Sequence, residues 1–303
     1  MLGSVAGRGR AWDMDNWDDV KFVLALSRHG TMTAAALALG TNVATVSRRI
    51  DRITEQSGTP LFVKKDGAWE ATGTALGYVR AAEEFDARIR SERNNAHDAA
   101  GRNDEPIRVS AVPFVHHHVL IPALPHLMRQ RPFARTVFRN RFESVGLGDT
   151  DIVLRFGRPE KGRLMARKVA DMQFHAFRST GRQPPSGSWV GLRDEYDDRP
   201  TAILGQQVFG TQPTVRCDTY EHVLAVMQAT GLPGVLPDVI GRAVGGFALC
   251  DRGIPGVERD VWLAFHQSRR ADVAVRATAD WIVTAFADTA WANVQDEVEI
   301  AAE

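Results

Sequence analysis

Apolar positions recur at helical spacing along the start of the chain. Over residues 18–29, Val20, Val23 and Leu24 share a stripe with the flanking Trp17 and predict a helix. It closes at Gly30, a residue suited to the left-handed position after a helix end. A second, alanine-rich helix is predicted over 33–39 and stops at Gly40 in the same way. A third, over 43–57, sets Val46, Ile50 and Ile53 on one face and Thr45, Arg48, Arg49 and Arg52 on the opposite one, with Asn42 as its N-cap. One face packs and the other is presented. Short helix, glycine turn and a helix with an arginine face make a helix-turn-helix, whose second helix enters the DNA major groove.

The period then changes. Residues 61–65 and 68–71 read as short extended runs joined by Asp66-Gly67, a dipeptide of tight hairpin turns, and so predict a wing carrying Lys64 and Lys65. Thr72 is placed to cap a long helix reaching about residue 97. Small or apolar residues repeat along it at seven-residue spacing, Ala75, Ala82 and Ile89, with Tyr78 and Phe85 between them. Two readings stay open for this helix, a dimerising linker or a helix lying on its own domain. Residues 94–106, rich in Asn, Asp, Gly, Ala and Pro, read as a hinge. Beyond it strands are predicted at 107–112, 136–139, 151–156, 173–177, 201–204, 214–217, 234–236 and 261–265. Helices are predicted at 117–129, 219–230 and 271–287. Such alternation implies an α/β domain with helices packed on sheets.

At 303 residues the chain is long enough for two domains with separate cores. With 44% apolar and 24% charged residues and a mean hydropathy of -0.22, it has the composition of a globular protein without membrane spans. Its opening dozen residues hold glycines and arginines but no apolar block of a secretory signal. Because Met14 lies just ahead of the first organised segment, residues 1–13 are expected to be either a disordered extension or the product of a misplaced start. Two cysteines, Cys217 and Cys250, are too few for a disulfide framework, which fits a reduced, cytoplasmic setting. The formal net charge is zero, so DNA affinity must come from local placement of charge rather than its total.

The segments TMTAAALALGTNVATVSRRI (31–50) and GTPLFVKK (58–65) resemble the LysR-type transcriptional regulators. The likeness continues through EATGTALGYVRAAEEF, IRVSAVPFVHHHVLIPALPHLMRQRPFART, DTDIVLRFG, GLPGVLPDVIGRA and VWLAFHQSRRADVAVRATADWI. It implies a winged helix-turn-helix, a long linker helix, and a C-terminal α/β effector domain of two subdomains with the periplasmic-binding-protein fold. It also implies a homodimer or homotetramer that binds promoter DNA and a small-molecule effector, with RNA polymerase a further partner to consider. The expected organisation is an extension (1–13), DNA-binding domain (14–72), linker helix (73–97), hinge (98–106), effector and oligomerisation domain (107–290) and tail (291–303). Two departures from the family stand out. Val43 replaces the side chain commonly used for base contact, and the glycine-rich connection from Arg139 to Asp151 suggests a reduced or lost crossover helix.

Thr45, Arg48, Arg49 and Arg52 are the leading candidates for DNA contact, since arginine pairs with guanine edges or clamps phosphates. Thr31, Thr33 and Asn42 are placed to meet phosphates at the motif's edges, as are Lys64 and Lys65 on the wing. In the effector cleft, helix N-termini suit an anionic group. One candidate wall begins at Val112-Pro113-Phe114, where apolar residues stand in place of the hydroxyls common in the family. The other is Cys217-Asp218-Thr219, facing the Leu236–Val239 loop. Asp218 either caps the following helix or contacts ligand, and Arg155 either neutralises an acidic effector or forms a structural ion pair.

Metal binding by His116, His117 and His118 is disfavoured because consecutive helical residues diverge. Cys217 and Cys250 are expected to be inert thiols rather than a redox pair. Gly146-Leu147-Gly148 lacks a third glycine and a following helix, and no other cofactor, phosphate-loop or nucleophile motif occurs. An effector-sensing regulator is therefore expected; a family member whose C-terminal domain serves only assembly is the alternative, and an enzyme finds no catalytic constellation.

Overall fold

The computed structural model describes residues 17–65, 67–99, 106–131, 135–140, 150–160, 162–182, 184, 186–250, 253–288 and 298–300. The chain forms two compact units, Met1–Arg90 and Ser91–Glu303. The expected extension at 1–13, most of the hinge and the segment 141–149 lie outside the described residues.

In the first unit, α1 (Trp17–His29), α2 (Met32–Ala38) and α3 (Val43–Ser57) are followed by β1 (Phe62–Lys65), β2 (Ala68–Ala71) and α4 (Gly73–Ala99), whose residues after Arg90 belong to the second unit. Gly30 takes φ 67° after α1, and Gly58 closes α3 at φ 68°. Thr31 caps α2, accepting from the Ala34 N–H at 3.2 Å, and Asn42 caps α3, accepting from the Thr45 N–H at 2.8 Å. Val46, Ile50 and Ile53 enter a core shared with Val23, Leu26, Ala35 and Leu61. The wing is antiparallel, Lys64 opposite Trp69 and Lys65 opposite Ala68.

The start of α4 belongs to this same core. Ala75 and Ala82 are buried there with Val79, and Tyr78 packs at its edge. Of the seven-residue series only Phe85 and Ile89 are exposed, at 55% and 38%. Ala75 and Ala82 are thus occupied within their own unit rather than presented to a partner. Asp86 ties α4 to α1, receiving Arg28 at 3.1 Å and Arg90 one turn on. Burial alone would raise the Asp86 carboxyl, but Arg90 and Arg28 hold it below the usual carboxylate range.

In the second unit β3 (Ile107–Ala111), α5 (Pro113–Val115) and α6 (Ile121–Gln130) precede β4 (Thr136–Asn140) and β5 (Ile152–Phe156). Pro113 sits at the first helical position, so helix begins four residues before the predicted start. A π turn, His116–Leu120, joins α5 to α6, with the Ile121 N–H donating to His116 O. Pro122 has no N–H and would press on the carbonyl of residue 118 in a regular helix, which the wider turn relieves.

Next come β6 (Leu164–Ser179), β7 (Val190–Leu192), α7 (Pro200–Phe209), β8 (Val215–Cys217), α8 (Tyr220–Thr230), β9 (Gly234–Pro237), α9 (Asp238–Gly241) and β10 (Phe247–Leu249). The chain closes with β11 (Val257–His266), α10 (Val273–Ala287) and β12 (Val298–Ile300). The strand expected at 201–204 is instead the start of α7, which Pro200 opens and Gly210 closes at φ 74°. The expected tail at 291–303 contains β12, paired with β6.

The sheet runs β4-β3-β5-β11-β6-β9-β7-β8, with β10 and β12 also on β6. β3 is parallel to β4 and β5, and β7 is parallel to β8 and β9; β11 is antiparallel to both β5 and β6. Two parallel halves are therefore joined by the long β6–β11 ladder, whose register shifts between Val261 and Trp262. One continuous core serves both halves, with Phe114, Phe174, Phe177, Phe265 and Phe286 all buried.

Candidate DNA interface and effector cleft

Helix α3 presents its N-terminal turns. Asn42, Val43, Ala44 and Arg48 are exposed, and Thr45 is half-buried, its hydroxyl donating to Asn42 Oδ1 at 3.0 Å. The Arg48 Nε donates to the Ala44 carbonyl at 3.2 Å, and the side chain is exposed. Arg49 and Arg52 are arranged differently. Both reach back to Asp19 on α1, a carboxylate only 4% exposed: Arg49 Nη1 at 2.6 Å, Arg52 Nε at 2.8 Å and Arg52 Nη2 closer still. At 100° per residue Arg49 is only about 60° from Val46, so it flanks the packed face rather than opposing it. The four-residue polar face expected from the sequence therefore splits into a presented half, Thr45 and Arg48, and a half neutralised by Asp19.

Thr33 is exposed beside Thr31, and Lys64 and Lys65 are both exposed on the wing. Adjacent strand residues point to opposite faces. Lys64 shares its face with Trp69, which packs on the core, whereas Lys65 lies on the other face, 3.6 Å from Glu70. The two lysines therefore start from opposite faces of the wing.

In the second unit a cavity of about 60 Å³ lies at the carboxyl ends of the parallel strands, the place where open α/β sheets bind ligands. Val112, Pro113 and Phe114 line it at the end of β3, Phe156 at the end of β5, and Leu192 at the end of β7. Asp218, Thr219, Tyr220 and Glu221 follow β8. Tyr196, Arg199, Thr201 and Arg259 complete the wall. A wider recess of about 690 Å³ adjoins it, sharing Pro113, Asp218, Thr219 and Glu221.

Aromatic rings dominate the inner wall. Phe114, Phe156, Phe174 and Tyr220 form a cluster with centroids 5.5 to 6.3 Å apart. The Arg259 guanidinium lies 4.3 Å from the Phe156 ring centre. Tyr220 donates its hydroxyl to Thr201 at 3.0 Å, and burial raises its phenol above the usual range. Thr219, not Asp218, caps α8, accepting from the His222 N–H at 3.1 Å. Asp218 instead pairs with Arg193 at 3.1 Å.

Two expected residues fall outside the cavity. Arg155 alternates with Phe156 along β5, so it lies opposite Trp262 on the other side of the sheet. Cys217 ends β8 partly buried against the core, its thiol raised by burial and by Asp218. The Leu236–Val239 loop does not line the cavity either; its Asp238 accepts from His175 at 2.7 Å and from Arg242 at 2.7 Å. Glu221, Tyr220 and Arg259 were missed. Tyr220 and Glu221 directly continue the Cys-Asp-Thr motif, a signal that extending the motif by half a turn would have used.

The three histidines have different surroundings. His116 is buried, its Nδ1 3.3 Å from Asn140 Oδ1, and burial holds it below its ordinary value. His118 is shifted the same way by burial and by His117, against the attraction of Glu221. The acidic group Asp171, Glu258 and Asp260 on β6 and β11 receives Lys168, 3.5 Å from Asp260 and closer to Asp171.

Residues 17–77 match the model of the bacterial regulatory helix-turn-helix protein, lysR family, and residues 100–287 match the LysR substrate binding domain. The chain belongs to the LysR family. This regulator is thus a DNA-binding transcription regulator with a substrate-binding domain, in a family that binds DNA and small-molecule effectors and forms oligomers. It is 25% identical over 288 residues to the Mau operon transcriptional activator of Paracoccus denitrificans, covering 90% of this chain and 98% of that one. ArgP of Mycobacterium tuberculosis shares its fold at TM-score 0.60 and 17% identity, over 89% of this chain and 97% of that chain. A full-length OxyR variant of Pseudomonas aeruginosa does so at 0.59 and 17%, over 88% and 96%. LysG of Corynebacterium glutamicum with bound effector Arg follows at 0.56 and 16%, over 90% and 98%. These likenesses support the two-subdomain, periplasmic-binding-protein-like architecture of the effector unit. No helix among the described residues is long and apolar enough to cross a membrane.

Proposed function

We propose that this regulator acts in the cytoplasm as a homodimer or homotetramer, binding operator DNA through its first unit and a small-molecule effector in the cavity of its second. The presented N-terminal half of α3 carries the DNA reading. Arg48 is the principal base or phosphate contact, with Thr45 and Asn42 beside it, Thr31, Thr33 and the wing lysines Lys64 and Lys65 at the edges, and Arg49 and Arg52 in a secondary role. Phe85 and Ile89, exposed on α4, offer apolar surface for self-association, and RNA polymerase is the natural partner of promoter control. The aromatic cavity at the strand ends carries the effector reading, with Val112, Pro113, Phe114, Asp218 and Thr219 in its wall. LysG, which shares this fold, carries a bound effector Arg, which supports a sensing role for a protein of this architecture.

The test is a footprint on the region upstream of the gene, followed by titration of Arg48→Ala. The substitution should weaken operator binding by about 1 to 3 kcal/mol; an unchanged midpoint at fixed salt overturns the role of Arg48. Buried Phe114 narrows the cavity, which keeps a second reading open: a domain that serves assembly alone. That reading stands if no ligand changes stability while operator is still bound.

A further inference from the structure

The geometry points to an effector that carries an ammonium group, recognised by Glu221. This rests on the effector reading of the cavity and adds its chemistry.

Glu221 is the second residue of α8 and lines both the aromatic cavity and the recess that adjoins it. Both of its carboxylate oxygens are buried, and neither receives a hydrogen bond from any described residue. A buried carboxylate left in this state is costly, and a cationic donor in the cavity removes that cost. The neighbouring carboxylate, Asp218, is already paired with Arg193. Arg199 and Arg259 line the cavity too, but neither hydrogen-bonds Glu221, and Arg259 lies over Phe156 instead.

The remaining wall suits the same ligand. Phe114 and Tyr220 add aromatic surface to the wall, and aromatic rings attract ammonium groups through their negative quadrupoles; over Phe156 that place is already held by Arg259. Helix α8 would ordinarily favour an anion at its N-terminus. Glu221 already places a negative charge in that first turn, so a second carboxylate there meets like-charge repulsion. An acidic group is therefore disfavoured beside Glu221.

A simple amine and an amino acid present the same ammonium chemistry, and matched probes distinguish them. The full-length protein is titrated by calorimetry and thermal shift with isobutylamine, valine and isobutyrate, which share one apolar body. Phenethylamine, phenylalanine and 3-phenylpropionate form a larger set. Ammonium-bearing probes should bind and stabilise, and Glu221→Gln should weaken that binding about tenfold or more. Amines binding without amino acids identifies a simple amine; amino acids binding without amines adds a carboxylate partner to the ammonium one. Stabilisation by the carboxylic acids alone overturns the ammonium assignment and leaves the effector cavity standing. Undiminished amine binding in Glu221→Gln, with an unchanged ligand-free melting temperature, overturns the role of Glu221. No response to either set overturns the effector reading itself, and this inference with it.

Discussion

Asp19→Asn should separate stability from DNA affinity in the first unit. The Asp19 side chain is 4% exposed and accepts from Arg49 and twice from Arg52. A hydrogen bond to a charged group is worth about 1.5 to 3 kcal/mol when buried. Here the guanidinium partners are 32% and 44% exposed and recover water when released, so the combined loss reduces to about 2 kcal/mol. For a unit of this size that is a melting-point drop on the order of 10 °C. The same substitution releases two positive charges beside the presented face of α3. Each additional phosphate neutralised steepens the salt dependence of binding by about 0.9, so the slope should steepen by about one to two per protomer. Circular dichroism melting reads the first effect, and fluorescence anisotropy on an operator duplex across about 50 to 200 mM salt reads the second. An unchanged slope would mean that freeing Arg49 and Arg52 from Asp19 adds no phosphate contact. That result refutes the neutralised half of the α3 face.

Two further outcomes test the second unit. Because burial holds His116 below 6.5, the unfolded chain takes up its proton first as pH falls. Stability should therefore be complete above about 6.5 and decline below it until the lower native pKa is reached, with His118 adding in the same direction; melting at pH 7.5 and 5.5 should show about this loss, and His116→Gln should flatten it. An unaltered pH slope in that variant would assign the effect elsewhere. Gly234→Ala places a Cβ 2.9 Å from the Val190 carbonyl oxygen and 3.0 Å from the Met227 sulfur. The resulting overpacking should cost about 1 to 3 kcal/mol, read as a lower denaturation midpoint; no change would mean that β7 and α8 yield readily.

The helix-turn-helix was legible because its devices are local. Asn42 capping, Gly30 and the Val46–Ile50–Ile53 stripe all act within a few residues. Asp19 was not legible, since Asp18 and Asp19 look alike at a helix start and only the fold brings Arg49 and Arg52, 30 and 33 residues away, onto one of them. The misread strand at 201–204 shows a short apolar run, Thr-Ala-Ile-Leu, outweighing the Pro200 and Gly210 that bound a helix. Much of β6 was hidden for the opposite reason. Lys168 and Asp171 interrupt its apolar pattern, yet they neutralise each other beside Asp260 and so fit within a strand. The cavity was half legible: strand ends pointed to Pro113 and Thr219, whereas Arg259 arrives from β11, over 100 residues beyond Phe156 in the chain.

The sheet order also dictates how this chain can be made. β3 and β5 leave the ribosome early, but the neighbour that covers β5 is β11, and the helix that buries their half is α10, with Trp281 donating to the Ala123 carbonyl at 3.0 Å. The buried Arg269, which grips Asp151 at 2.6 Å, also comes from this late segment. The half begun first is therefore the half finished last. During synthesis its unpaired strand edge and bare apolar face must wait while the whole of the other half, β7 to β10, is translated and folds. Shortening the chain before α10 would thus damage the earliest strands of the second unit, and a nascent-chain holdase would find its target in β3 and β5 rather than at the growing end.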